Sequence, residues 1–190
     1  GNGNLTNITD ADGNKREFLV NLRGDVLSAT DLHTPTDTKY GIVKKTYDLL
    51  GNVLTTNLQD TKTSTNTYDS LGRLTKIINP EQTITYVYDT CMKTKLCSIS
   101  SNLGTSTTYT YKPEGFIATK TQTIDGANLT KSYTYDTQGQ ILSITQPDGT
   151  LVSYTRDDWY RESGNIRNVK VDGTDVIFNT IYDTESRITS

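Results

Sequence analysis

"YDSLGRLTKIINPEQTITYVYD" (residues 68–89) begins and ends on the dipeptide Tyr-Asp. Between the two copies lie a glycine (Gly72), an Arg-Leu pair (Arg73, Leu74) and a run rich in β-branched residues. A chain that returns to one dipeptide after twenty residues is either an ordinary domain with a coincidence or a repeat array, and the spacing decides between them. Aligned on aromatic-Asp-x-x-Gly, the sequence gives a ladder: Tyr47-Asp48 with Gly51, Tyr68-Asp69 with Gly72, and Tyr135-Asp136 with Gly139. Weaker copies stand at Val20-Asn21 with Gly24, Tyr111-Lys112 with Gly115, and Tyr160-Arg161 with Gly164. Tyr88-Asp89 and Tyr182-Asp183 keep the dipeptide and lose the glycine. Eight anchors spaced by 20 to 27 residues are a repeat.

The inner grammar of each unit is clearest in "SYTYDTQGQILSITQPDGTLVSYTRD" (residues 132–157). Tyr133 and Tyr135, then Leu142 and Ile144, alternate with period two, the strand period. Between these runs Asp136 can accept bonds from backbone amides two residues on, and Gly139 can take positive φ. Pro147-Asp148-Gly149 marks a second turn before the strand that starts at Leu151. Each unit therefore reads strand, turn, strand, turn, with turns at Gly51, Gly72, Gly115 and Gly139. No stretch carries a 3.6-residue stripe, and no helix is assigned. The expected fold is all-β: a curved antiparallel sheet of consecutive hairpins. Tyr86/Tyr88, Tyr109/Tyr111 and Tyr133/Tyr135 repeat just before the turn, and across antiparallel neighbours they are expected to stack as a packing ladder.

Composition agrees. Only 33% of the 190 residues are hydrophobic and the mean hydropathy is −0.57, lean for a globule with one deep core. Twelve tyrosines, four prolines and a net charge of −3 also separate the chain from disordered sequences. The charge balance offers no basic stripe for nucleic acid. No apolar run approaches the ~20 residues of a membrane span. The chain starts Gly1-Asn2-Gly3 and stops at Thr189-Ser190, and is read as one array, residues 1–190, excised from a larger protein.

"YDSLGRLTKI", "YDLLGNVLTT" and "YDTQGQILSI", with "DGTLVSYTRD", resemble the RHS or YD-repeat family along essentially the whole chain. That resemblance implies strand-turn-strand units wound as a spiral sheet into a hollow shell. Bacterial members include polymorphic toxins and the shells of insecticidal toxin complexes, which sequester a C-terminal toxin; teneurins are animal relatives. The implied partners are neighbouring repeats and an enclosed toxin domain of the parent protein, with a glycan as the alternative. The implied location is secreted or on a bacterial surface. The Asp-Pro-x-Gly-type core motif of self-processing members is missing, which places cleavage and toxicity outside this stretch. About sixteen strands at ~4.8 Å give some ~75 Å of sheet, too short to close around a 100-residue cargo of radius ~13 Å.

Residues with chemistry are few. His33 stands alone beside Thr34-Pro35, in the longest step, and reads as a surface loop residue. Asp10, Asp12 and Asn14 fall at calcium-loop positions 1, 3 and 5, but Lys15 and Asn21 replace the required Gly and Glu, so Asp12-Gly13 reads as an inter-strand turn. Asp157, Asp158 and Glu162 are flanked by Arg156 and Arg161, the pattern of a solvated loop. No nucleophile motif occurs, and no enzyme activity, metal or cofactor is expected. Asn4, Asn7 and Asn128 begin N-x-T sequons that threonine abundance explains. Trp159 and Tyr160 are where a binding module would place exposed aromatic rings. Cys91 and Cys97 flank the turn that lacks its glycine, within reach of a disulfide across antiparallel strands; two free thiols is the alternative.

Overall fold

The structure, a computed structural model, describes residues 4–58, 62–156, 165–177, 180–181 and 187–188. It divides into two units, Gly1–Tyr86 with Ser101–Leu103, and Val87–Ser100 with Gly104–Ser190. Among the described residues there are sixteen strands and no helix.

The first unit holds β1 (Asn7–Thr9), β2 (Lys15–Val20), β3 (Val26–Thr30), β4 (Ile42–Tyr47), β5 (Val53–Leu58), β6 (Lys62–Tyr68), β7 (Leu74–Ile78) and the start of β8 (Thr83–Tyr88). Nearly all the rest belongs to the second: β9 (Leu96–Ser101), β10 (Ser106–Tyr111), β11 (Ile117–Ile124), β12 (Ala127–Tyr135), β13 (Ile141–Thr145), β14 (Leu151–Arg156), β15 (Ile166–Val171) and β16 (Thr174–Ile177). Within each unit, neighbours in the chain are neighbours in the sheet, and every pair is antiparallel. The period-two runs and phased turns thus give the hairpin succession they predict.

The glycine turns share one geometry. Asp48 N–H donates to the Asn52 carbonyl at 2.9 Å, and Gly51 N–H donates to the Asp48 carbonyl at 3.2 Å. Gly51 sits at φ +90°, a region closed to most side chains, and the register slips between Thr46 and Tyr47. This is a type I turn followed by a left-handed residue and a bulge, whose extra twist suits a hairpin. The turns at Gly72, Gly115 and Gly139 repeat it.

Packing is thin. The only buried hydrophobic residue is Cys97, and no large side chain is fully buried among the described residues. A sheet without a core must be held by contacts between hairpins. One face carries threonine pairs bonded hydroxyl to hydroxyl across strands: Thr46 with Thr55 at 2.7 Å, Thr110 with Thr119 at 2.6 Å, Thr121 with Thr130 at 2.8 Å. Each of these bonds ties one strand to the next. The signature tyrosines stand nearer the sheltered side, and the expected ladder of tyrosine on tyrosine is not what the register makes. Tyr47 faces Val53, Tyr68 faces Leu74, Tyr111 faces Ile117 and Tyr135 faces Ile141. The physical reason is strand order. A strand that ends in Tyr-Asp alternates with one that does not, so successive signature rings are about 9.6 Å apart, twice the strand spacing.

Candidate functional site

At the turn, the carboxylate of the Tyr-Asp dipeptide closes the loop. Asp48 Oδ1 accepts from the amides of Leu50 and Asn52 at 2.9 and 2.8 Å, and its Oδ2 accepts from Asn52 Nδ2 at 2.9 Å. Asp69 accepts from the amides of Leu71 and Arg73, both at 2.9 Å, while Arg73 Nε donates to its Oδ2 at 2.7 Å. Asp136 holds the amides of Gln138 and Gln140. The side-chain bond from Asn52 holds the Asp48 carboxyl below its ordinary pKa, and the amide of Arg73 does the same for Asp69. Asp10 is bound in the same way by the amides of Asp12 and Asn14 and by Asn14 Nδ2, so these residues make the turn the sequence suggests.

Four of the signature tyrosines work on a neighbouring hairpin. Tyr47 Oη donates to the carbonyl of Val26 at 2.7 Å, Tyr68 to Val53 at 2.9 Å, Tyr111 to Leu96 at 2.7 Å and Tyr135 to Ile117 at 2.8 Å. In every case the acceptor is the first residue of the second strand of the preceding hairpin. Each hydroxyl therefore clamps its own hairpin to the one before it. Burial pushes the Tyr47, Tyr111 and Tyr135 hydroxyls above the ordinary tyrosine pKa, with Asp25, Tyr109 and Tyr133 respectively adding to it.

A second contact joins successive turns. The side chain after one turn glycine lies over the next turn glycine: Asn52 Nδ2 is 3.8 Å from where a Cβ on Gly72 would stand, and Phe116 is 2.4 Å from that point on Gly139. Phe116 also stacks on Tyr135, with centroids 5.0 Å apart. Arg23 reaches across to the carbonyls of Leu49 at 2.7 Å and Asp48 at 3.1 Å.

Residues 135–168 match the RHS repeat. The chain superposes on the Tc holotoxin pore of Photorhabdus luminescens, in a TccC3 mutant form, with a TM-score of 0.68 and 18% identity over 98% of this chain and 11% of that one. A TcdB2–TccC3–TEV structure gives a TM-score of 0.69 and 19% identity, over 98% and 11%. A TcdB2–TccC3 structure gives 0.65 and 13%, over 96% and 12%. Identity at this level establishes a shared fold. The chain spans about a tenth of the length of those structures. No curated protein is significantly similar in sequence.

Two copies of the repeat depart from the pattern in instructive ways. In the copy at Tyr88-Asp89, which has Met92 in place of glycine, Cys91 and Cys97 form a disulfide with Cα atoms 5.5 Å apart. Asp89 and Thr94 take left-handed backbone, at φ 67° and 66°, and Asp89 Oδ1 accepts from the Thr94 amide at 2.6 Å. A covalent tie and two strained residues replace one glycine. Changing both cysteines to serine is expected to lower stability by about 2 kcal/mol, the loop-closure value for so short a ring. Urea unfolding of the variant and of the wild type with and without reductant checks it; coincident midpoints contradict it.

The other departure lies near the seventh anchor. Tyr160, Arg161 and Gly164 lie outside the described residues, as do Asp157, Asp158, Trp159, Glu162, Tyr182 and Asp183. The bulge that marks the signature position falls between Thr155 and Arg156, and Arg156 Nη2 donates to the carbonyl of Ile141 at 3.2 Å. Arg156 thus occupies the tyrosine position, four residues before the expected anchor, and its guanidinium makes the clamp. The signal was the phase of "SYTRD" against "SYTYD"; aromatic character at Tyr160 hid it. His33 is also corrected. It is buried, stacked on Tyr40 with centroids 3.6 Å apart, and its Nδ1 lies 2.8 Å from the Asp31 carbonyl. Main-chain bonds with Lys15 in both directions draw this loop onto the sheet.

Proposed function

We propose that residues 1–190 serve as one array of about eight RHS repeats, a wall segment cut from a longer secreted or surface bacterial protein. The parent shell encloses or presents a toxin domain, and this segment contributes no chemistry of its own. The observation that carries the reading is the clamp to the preceding hairpin made by Tyr47, Tyr68, Tyr111, Tyr135 and Arg156. Tyr47, Asp48, Tyr68, Asp69, Arg73, Tyr111, Tyr135 and Asp136 take part in turn closure or hairpin clamping, which is the use of a residue in a repeat wall. The Tc toxin assemblies that share the fold support the same reading.

The test is limited proteolysis of the full parent protein. The C-terminal domain is expected to resist protease in the wild type and to become cleavable when Tyr47, Tyr68, Tyr111 and Tyr135 are changed together to phenylalanine. A C-terminal domain cut equally fast in both proteins overturns the proposal.

A further inference from the structure

The sheet distributes its charge unevenly. In β9 to β16 the one acidic strand residue is Asp175, and it pairs with Lys170 at 3.7 Å. The other acids of the second unit lie in turns or outside the described residues. On the side of this unit that carries Tyr109 and Tyr133, the register sets Tyr109 opposite Lys120 and Lys120 opposite Lys131. Tyr133 follows Lys131 by two residues on β12 and so shares its face. Both lysines are half-buried, and neither has an ion-pair or hydrogen-bond partner among the described residues.

Like charges directly opposite one another, with Cβ atoms roughly 5 Å apart, weaken a sheet. Folding gains nothing from this pair. A carboxylate placed between the two ammonium groups would convert the repulsion into two charge-assisted hydrogen bonds. The rings of Tyr109 and Tyr133 on either side offer apolar walls with a polar tip, the usual company of an interface residue. We propose that the Lys120–Lys131 pair on the tyrosine side of the second unit is a docking site for an acidic polypeptide segment, which inserts a Glu or Asp side chain between the two lysines. Charge complementarity favours a peptide over nucleic acid. Asp136 at one end of the strands, and Asp125, Asp148 and Asp172 at the other, bracket the face with negative charge. A continuous phosphate backbone must cross that fringe, whereas a single carboxylate need not. The site lies within the second unit alone and stands independently of the wall reading.

The experiment uses the 190-residue chain, a fluorescent hexaglutamate peptide and a single-stranded oligonucleotide at low salt. The peptide is expected to bind and to weaken as salt is raised. Lys120→Glu sets an opposite charge against Lys131, so it should raise the melting temperature while weakening the peptide by about tenfold or more. Lys76→Gln, in the first unit, should leave binding unchanged. Peptide affinity that survives Lys120→Glu, absence of wild-type binding, or an oligonucleotide that binds as tightly as the peptide would each overturn the proposal.

Discussion

Gly139→Ala is expected to lower stability by about 3 kcal/mol, roughly twice the loss from Gly51→Ala, because two costs coincide at Gly139 and only one acts at Gly51. Both glycines take left-handed backbone, at φ +82° and +90°. An alanine there carries a steric cost of about 1–2 kcal/mol. At Gly51 the new methyl meets nothing within 4 Å. At Gly139 it meets the Phe116 ring at 2.4 and 2.8 Å, and that ring is the one packed on Tyr135. Phe116 is only partly covered, so it can swing out, but it then gives up the stack that joins two hairpins. Combining Gly139→Ala with Phe116→Ala should therefore cost less than the sum of the single changes, a coupling that urea titration of the four proteins measures. Equal losses at Gly139 and Gly51, or strict additivity, would contradict the turn-over-turn contact.

The tyrosine clamp makes the second large prediction. Tyr135→Ala removes the ring from Phe116 and the hydroxyl from Ile117, and should cost about 3 kcal/mol, the low end for a large aromatic because the ring is half-exposed. Tyr135→Phe keeps the ring and loses one hydrogen bond, which should cost about 1 kcal/mol. Thermal or urea denaturation of the two variants separates ring from hydroxyl. If both lose the same amount, the hydroxyl alone matters; if phenylalanine is silent, the clamp has no energetic role.

What the sequence discloses follows from how local each feature is. The hairpins were legible because alternation, Asp at the turn start and glycine four residues after the aromatic position are all short-range signals, and Asp48, Gly51, Asp69 and Gly72 behave as those signals require. The tie between Cys91 and Cys97 is legible for the same reason, the two lying six positions apart. The clamp is not. Tyr68 and Val53 lie 15 residues apart, Tyr135 and Ile117 lie 18 apart, and a backbone carbonyl carries no letter in the sequence. The ladder expectation failed on one missing fact, that the strands carrying signature tyrosines alternate with strands that do not. Arg156 does not stand out because the pattern at this position is aromatic, while the contact demands only a long side chain with a donor at its end. The burial of His33 is not legible in the sequence because the stacking partner Tyr40 and the bridge to Lys15 depend on how a long connection folds back.

The central claim is that stability passes from hairpin to hairpin through the signature hydroxyl, and native-state hydrogen exchange on Tyr135→Phe tests it most directly. Tyr135 belongs to the hairpin of β12 and β13, and its acceptor Ile117 to the preceding hairpin of β10 and β11. The account predicts faster amide exchange in both hairpins, Ser106–Ile124 as well as Ala127–Thr145, under conditions where exchange reports local opening. Acceleration confined to β12 and β13, with β10 and β11 as protected as in the wild type, would contradict it.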